Sequence, residues 1–334
     1  MHALNNPAMS VVIVTPGEFD CIRTTVRHLR AQTVHEQIEV VILAVSESQL
    51  NMAEAEKEGF WGIQVISMGP IESIPKALAT GIRQSRGPLV ALAEDHCFPE
   101  REWAAALIAR HQENWAVVGP AVCNANPGTL VSWADFVIAY GPWMDPVEAG
   151  PMEFLPGHNS CYKRSILLEY GDRLEEMMEA ETVMHFDLRR RGHPLYLESA
   201  ARTRHMNYAL FGSWTSVTYC HGRVFAAVRA RPWRWPKRVF YGAASPLIPW
   251  VRLYRCVRVL LGPGRPRHLI FRVLPVMAVG LMLDGIGQFA GYLTGDGDAL
   301  GKLSQMEFNR IDHVTEEDRR RFRAGAADAG IQDG

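Results

Sequence analysis

Through the first 122 residues, unbroken apolar runs alternate with amphipathic stretches. Residues 10–15 (Ser-Val-Val-Ile-Val-Thr) are β-branched and almost wholly apolar, which predicts a parallel strand covered on both faces. Pro16-Gly17 ends it. Ile22, Val26 and Leu29 then recur at helical spacing within a predicted helix over 20–32. Residues 38–45 predict a second buried strand and 63–67 a short third. A helix over 74–85 is stopped by Gly87-Pro88, and 88–93 form a fourth strand that ends in Glu94-Asp95-His96. Pro99 opens a helix carrying Trp103, Leu107 and Ile108, and 116–122 read as another strand. Strands alternating with helices predict an α/β, mostly parallel sheet with helices on both faces. Such sheets bind ligands beyond the carboxyl ends of their strands, where residues 94–96 lie.

Beyond residue 122 the pattern is mixed. From about 125 to 212 it predicts Gly/Pro-rich loops, a helix near 163–170, a helix near 181–191 ended by Gly192, and a strand over 194–199. Residues 213–283 interleave Trp214, Trp233, Trp235 and Trp250 with Arg229, Arg231, Arg234, Lys237 and Arg238. Arg252, Arg255 and Arg258 recur on one helical face, opposite Leu253, Val257, Leu260 and Leu261. Residues 273–295 are mostly apolar but hold Pro275, Asp284 and five glycines. Their uncharged run, 273–283, is too short to span a bilayer, and an Asp284 facing lipid would be costly. The tract predicts amphipathic or re-entrant helices at a membrane surface, with Trp at headgroup level and Arg on lipid phosphate. A single transmembrane helix and a soluble helical subdomain are the alternatives. Residues 314–334 are polar and predict a helix fading into a loose tail.

Charge sharpens this division. The net charge of the 334 residues is −1, but no Asp or Glu occurs in 199–283, which carry 14 Lys and Arg; the remainder holds 21 basic and 36 acidic residues. An acidic module is joined to a basic one, which implies an anionic partner for the latter. Apolar runs such as 273–283 suit an anionic membrane surface better than a phosphate backbone, so no nucleic-acid role is expected. A hydrophobic fraction of 48% excludes global disorder. Six scattered cysteines without CxxC spacing suit reduced thiols in the cytosol. No signal peptide and no internal repeat are recognisable.

Glu94-Asp95-His96 is the sharpest chemical feature. Two potential ligands flanking one residue at a strand tip can hold a divalent ion, which could bridge to a diphosphate and neutralise it as a leaving group. A solvated acidic turn capping the helix after Pro99 is the plainer alternative. His205 follows the 194–199 strand; Glu179 and Glu181 start the helix that ends at Gly192, where acids belong for dipole reasons alone. Gly157-His158-Asn159-Ser160 is a tight turn in which glycine permits close approach of a ligand, although an ordinary turn explains it equally well.

Taken in order, these pieces resemble family 2 glycosyltransferases of the GT-A fold. The first helix ends in Gln32-Thr33; the strand-end acidic motif is followed by Pro99 and Trp103; Gly157-His158-Asn159 precedes the basic pair Lys163-Arg164; an acidic helix ends in Arg190-Arg191-Gly192; a last strand leads to His205. The likeness covers about residues 9–206. It departs at two points. His96 stands where the family has the last Asp of Asp-x-Asp, and Ala44-Val45-Ser46-Glu47 replaces a paired Asp that contacts the nucleotide. The resemblance implies a Rossmann-like GT-A domain over 1–212, with a nucleotide-binding half (1–122) and an acceptor half (123–212). A membrane-associating amphipathic helical region (213–300) and a polar tail (301–334) would follow. It further implies a nucleotide-sugar donor, Mn²⁺ or Mg²⁺ on Glu94, His96 and His205, and inverting transfer with Glu181 as general base. Asp95 would join Glu94 on the donor side, Asn159 would shape the sugar pocket, and Thr15 and Glu47 would line the nucleotide side. The acceptor would be a lipid-linked molecule or a glycan at the cytoplasmic face of the membrane, with attachment peripheral, re-entrant or single-span. The departures also fit a non-catalytic GT-A-like scaffold. A nucleotidyltransferase is disfavoured, because the loop after the first strand, Pro16-Gly17-Glu18-Phe19-Asp20, is acidic.

Overall fold

The computed structural model describes residues 6–323. They divide into two units, the first of residues up to 123, 147–205 and from 321, the second of residues 124–146 and 206–320.

The first unit is built on one nine-stranded sheet. Its strands are β1 (Met9–Thr15), β2 (Ile38–Ala44), β3 (Gly62–Ser67), β4 (Leu89–Ala93), β5 (Cys97–Pro99), β6 (Val117–Asn124), β7 (Gly150–Met152), β8 (Cys161–Lys163) and β9 (Leu195–His205). They lie in the order β3-β2-β1-β4-β8-β6-β9-β5, with β7 also on β9. The β3-β2-β1-β4 half is parallel, as expected of its apolar strands; β2 and β4 are buried along their whole length. At β4 the sheet changes character: β1 runs parallel on one side and β8 antiparallel on the other, in register Leu89↔Lys163 and Ala91↔Cys161. The chain therefore leaves the carboxyl end of β4 beside the turn that enters β8.

The final strand is longer than expected, running past 199 to His205 and pairing there with β5 in the register Cys97↔His205. Its far half alternates inward Ala201, Thr203 and His205 with outward Arg202 and Arg204, so the inward residues are small or polar. That is why hydrophobicity alone stops at 199.

The second unit is helical. Its long members are Leu130–Tyr140, Phe211–Ala230, Trp235–Ala244, Ile248–Leu260, Ile270–Thr294 and Ala299–Phe308. Leu130–Tyr140 falls in a region expected to be loop. It is apolar on most sides because it packs among three other helices, which erases the periodicity that would announce it. The apolar stretch near 273–295 is one 25-residue helix, Ile270–Thr294, and with the preceding turn it is long and apolar enough to cross a membrane. It lies backbone to backbone on Phe211–Ala230. A Cβ at Gly287 would fall 2.2 Å from the Tyr219 carbonyl oxygen and one at Gly291 2.2 Å from that of Arg223.

The structure removes the cost attached to Asp284 and corrects one expectation about the tryptophans of the basic tract. Asp284 does not face lipid: it is buried, with Arg252 Nη1 at 2.6 Å and Gln288 Nε2 at 3.0 Å from its Oδ2, and Arg252 Nη2 also donates to the Ile138 carbonyl. Arg252 is thus spent inside the unit. Nor do all four tryptophans face outward. Trp214 is fully buried with its Nε1 on Asp135 Oδ1, and Trp233 stacks on Tyr292 beneath Arg229 and Lys237. Trp235 and Trp250 remain exposed. In the expected tail, Glu316–Arg323 is helical and residues beyond 323 lie outside the described chain.

Candidate active site

Glu94, Asp95 and His96 turn the chain out of β4 and into β5. Asp95 Oδ1 lies 2.6 Å from His96 Nδ1. A carboxylate only accepts, so Nδ1 carries a proton, and in the neutral ring Nε2 then presents its lone pair. That Nε2 is 3.3 Å from Glu94 Oε2. The β5–β9 register sets His205 beside the same turn, with its Nε2 3.6 Å from the same oxygen. A third imidazole arrives from the turn before β8: His158 Nδ1 is 3.3 Å from Glu94 Oε2. The His205 ring is edge-on to His96 (centroids 5.0 Å apart) and stacked on His158 (4.9 Å). Burial alone would raise the Glu94 carboxyl; with the His158 and His96 rings protonated, their charge, joined by hydrogen bonding from His205, reverses this and holds it well below the usual carboxylate range.

This donor set fits a cation. Glu94 Oε2 is buried and three rings converge on it. Glu94, His96 and His205 each offer a ligand atom within 4.8 Å of the others. Asp95 stands one shell out and fixes the His96 tautomer, the usual task of a carboxylate behind a ligating histidine.

The turn that carries His158 is held from several sides. Asn159 adopts φ +52°, a left-handed conformation that asparagine tolerates. Its backbone N–H donates to the Leu92 carbonyl at 2.5 Å, its Nδ2 donates to Thr203 Oγ1 at 2.7 Å, and its carbonyl accepts from Trp103 Nε1 at 3.0 Å. Asn159 is fully buried. Gly157 lies against Glu181, the first residue of the Glu181–Arg190 helix; a Cβ there would be 2.7 Å from Glu181 Cδ. One turn along that helix, His185 Nδ1 accepts from the Leu155 N–H, which leaves Nε2–H to donate to Tyr162 Oη at 2.9 Å. Tyr162 in turn donates to the Gly157 carbonyl.

The structure thus brings Glu94, Asp95, His96 and His205 into one cluster, and sets Asn159 and Glu181 at the turn beside it. Thr15 and Glu47 lie along the same edge of the sheet, Thr15 as the last residue of β1 and Glu47 after β2. Thr15 is buried with its Oγ1 accepting from the Gly17 N–H, and Glu47 is exposed at the start of a short helix, 3.6 Å from Lys57 Nζ. Sequence reasoning missed His158 as a ligand candidate. The available signal was a His inside the Gly-x-Asn turn in a chain that also carries His in the metal motif.

Other marks of the family pattern are structural. Gln32 is buried and ties the first helix to the Trp103–Arg110 helix: its Nε2 donates to the His28 and Glu100 carbonyls and its Oε1 accepts from the Ala104 N–H. Arg164 caps the Ile74–Gln84 helix through the Ile82 and Arg83 carbonyls. Arg190 and Arg191 pair with Asp187 and Glu169 ahead of Gly192, whose φ is +87°.

The family model described as Glycosyl transferase family 2 matches residues 10–171. No curated protein matches the chain. Among solved structures, the crystal structure of S. aureus TarS 1-349 is 13% identical over 85% of this chain and 90% of that one, with a TM-score of 0.44. The same fragment in complex with UDP is 15% identical over 84% and 90%, with a TM-score of 0.45. The longer S. aureus TarS chain is 14% identical over 85% of this chain and 54% of that one, with a TM-score of 0.42.

Proposed function

Through residues 10–171 the chain belongs to glycosyl transferase family 2, a nucleotide-sugar-dependent GT-A family, and from that premise we propose a metal-assisted, inverting sugar transfer to a lipid-linked or glycan acceptor at a membrane. The observation that supports it most is the convergence of His96, His158 and His205 on the carboxylate of Glu94 beyond the end of β4.

Glu94, His96 and His205 are the residues that would hold Mn²⁺ or Mg²⁺. A divalent ion bound there supplies neutralisation of the departing diphosphate. The chain's own groups do the rest. Asp95 keeps the His96 proton on Nδ1. Asn159 fixes the turn against β4 and β9, and Glu181, lodged against Gly157, takes the acceptor hydroxyl proton as general base. Thr15 and Glu47 line the nucleotide side. Attack by the activated hydroxyl on the anomeric carbon, opposite the leaving diphosphate, inverts that carbon.

The membrane part of the reading rests on the helical unit. Along Ile270–Thr294, Phe271, Pro275, Val279, Met282, Ile286 and Phe289 form one exposed stripe. Phe240, Leu247 and Trp250 add exposed apolar surface from neighbouring helices, Trp250 at 72% and Phe271 at 87% exposure. A patch of this kind on a basic surface suits the headgroup region of an anionic bilayer. Arg234, Arg255, Arg267 and Arg272 stay exposed, and each cation near such a surface contributes about 1 kcal/mol of attraction.

Two measurements test the proposal on the full chain. A thermal-shift panel of nucleotide sugars, with and without Mn²⁺, should show ion-dependent stabilisation by at least one donor; Glu94→Ala should stay folded and lose it. A panel in which no nucleotide sugar binds under either condition would leave the scaffold reading. Co-sedimentation with anionic liposomes at low salt should deplete the chain from the supernatant. Trp250→Glu combined with Phe271→Glu should restore it to solution; wild-type chain that stays in solution would remove the membrane from the reading.

A further inference from the structure

The Ile248–Leu260 and Ile270–Thr294 helices form a hairpin, and between them lies a groove of about 330 Å³ walled by Trp250, Leu253, Met282, Ile286 and Phe289. Resting on the membrane part of the proposed function and deepening it, we propose that this groove binds one acyl chain of an anionic phospholipid, whose phosphate is held by the arginines at the closed end of the hairpin.

The lining decides that the ligand is hydrocarbon. The groove is closed below by the approach of the two helices at Gly285, where a Cβ would sit 3.1 Å from Pro249 Cγ and 3.4 Å from the Ser245 carbonyl oxygen. Ser245 brings a hydroxyl to the lining, but its Oγ donates to the Tyr241 carbonyl. Arg252 and Asp284, the sequence neighbours of Leu253 and Gly285, turn inward and close on each other at 2.6 Å. Gln288 Nε2 is spent on the same carboxylate. A sugar, nucleotide or peptide backbone placed here would surrender its hydration without hydrogen bonds in return, which is costly. An alkyl chain surrenders nothing, and it covers side chains that otherwise face water, with Trp250, Met282, Ile286 and Phe289 all exposed.

Charge and length then decide what the chain is attached to. Arg255, Arg258, Arg267 and Arg272 are exposed around the hairpin's closed end. Arg265 faces Asp145 and is left out of this set. No acid occurs from 199 to 283, and the next, Asp284, is closed on Arg252. This end therefore presents cations to an anion, and guanidinium groups match phosphate geometry. Between it and the groove the exposed stripe is unbroken, through Val279 and Pro275 to Phe271 beside Arg272. From Phe289 to Ala278 the helix rises about 16 Å, close to the roughly 15 Å that one leaflet contributes to a hydrocarbon core of about 30 Å. About 9 Å more reaches Arg272. One chain and one phosphate fit that run in order.

The test is calorimetric titration of the full chain with myristoyl lysophosphatidylglycerol below its micelle concentration. Saturable binding is expected. The lauroyl homologue, two methylenes shorter, should bind about fourfold more weakly or worse, because a fully buried methylene is worth roughly a factor of four and the groove is open on one side. The choline headgroup should bind several-fold more weakly than the glycerol one, and Arg267→Glu with Arg272→Glu should erase that preference. Ala278→Phe fills the groove with apolar atoms and leaves the charge alone; it should lose at least about tenfold in affinity, with the melting temperature recording that it is folded. A brominated acyl chain reads the same site by quenching tryptophan fluorescence, and Trp250→Phe should remove most of the quenching. Wild type that binds neither lysolipid, or Ala278→Phe that binds as wild type does, would overturn the inference. So would a lipid-free wild type that self-associates where Ala278→Phe does not, since the groove would then belong to a second copy. Anionic liposomes that still deplete the chain in those cases would leave membrane docking standing; a chain that binds no lysolipid and does not sediment would remove both.

Discussion

One methyl group added at Gly157 isolates the role of Glu181. A Cβ there would lie 2.7 Å from Glu181 Cδ, 2.8 Å from Cγ and 3.0 Å from Cβ. Carbon atoms rest about 3.5–4.0 Å apart, so the carboxyl end must retreat by roughly 0.8 Å. Gly157 is not among the glycines with positive φ, so alanine suits its backbone. The obstacle reaches down to Glu181 Cβ, which is fixed to its helix, so the stability cost falls in the ordinary range for overpacking, about 1–3 kcal/mol. The catalytic cost is separate, because a misplacement of about 1 Å can cost on the order of 10² in rate. Gly157→Ala should therefore transfer sugar about 10²-fold more slowly, with a modest fall in melting temperature and a nucleotide affinity close to wild type. Glu181→Gln should lose about 10²–10⁴ in rate and keep donor binding. The double variant discriminates. If the methyl group acts only through Glu181, adding it to the Gln background costs little more, since the two sites are in contact and their effects do not add. Wild-type turnover in Gly157→Ala, or fully additive losses in the double variant, would refute the assignment of Glu181 as base.

Burial pushes His111 down to about 4 and His185 down to about 3. Both values lie below the free value near 6.5, so this stability is fully present above about pH 6.5 and is lost as pH falls, until the folded chain also takes up the protons. Two such groups make the loss about 2.7 kcal/mol per pH unit between about pH 6 and 4.5. Urea melts across that range should show it, His111→Gln should roughly halve the slope, and an unchanged slope would count against the argument. Gly287→Ala should destabilise the helical unit by about 1–3 kcal/mol, because the new Cβ meets a backbone oxygen that cannot step aside. In an open helix the same change would stabilise by about 0.5–1 kcal/mol, so the sign of the shift in melting temperature decides.

The parallel half of the sheet was legible because β1, β2 and β4 are buried on both faces and their sequences are correspondingly apolar. The site was legible to the extent that its residues are near in sequence: Glu94, Asp95 and His96 form one turn. His205 had to be taken from the family resemblance, because what delivers it is the antiparallel register of β5 and β9, across more than a hundred residues. His158 was less legible still. Its place depends on the β4–β8 pairing and on the left-handed Asn159, and no local pattern records either. The same holds for Gln32, whose three hydrogen bonds make it an internal strut although the sequence offers it only as part of a motif.

The basic tract shows how a count of charges misleads. Arg223 and Arg238 spend their guanidinium groups on backbone carbonyls, Arg229 lies over aromatic rings, and Arg252 closes on Asp284. Fewer cations face outward than the composition suggests. The same pairing removes the objection that Asp284 raised against a membrane-crossing helix. With Asp284 turned inward, the uncharged outer face runs from Val273 to Thr294, about 33 Å of helix against a hydrocarbon core of about 30 Å. Length therefore no longer separates a span from a surface helix, and the neighbouring helix must decide. Gly287 and Gly291 clamp this helix onto Phe211–Ala230, so neither can enter a bilayer without the other. Phe211–Ala230 carries His221, Arg223 and Arg229, and His221 is exposed. Carrying these into hydrocarbon is costly, whereas a single apolar stripe with its partner helix on the opposite side suits a helix lying in the plane of the headgroups. Within the proposed membrane reading, the helix pair suits in-plane docking better than a span, on different grounds from those the sequence offered.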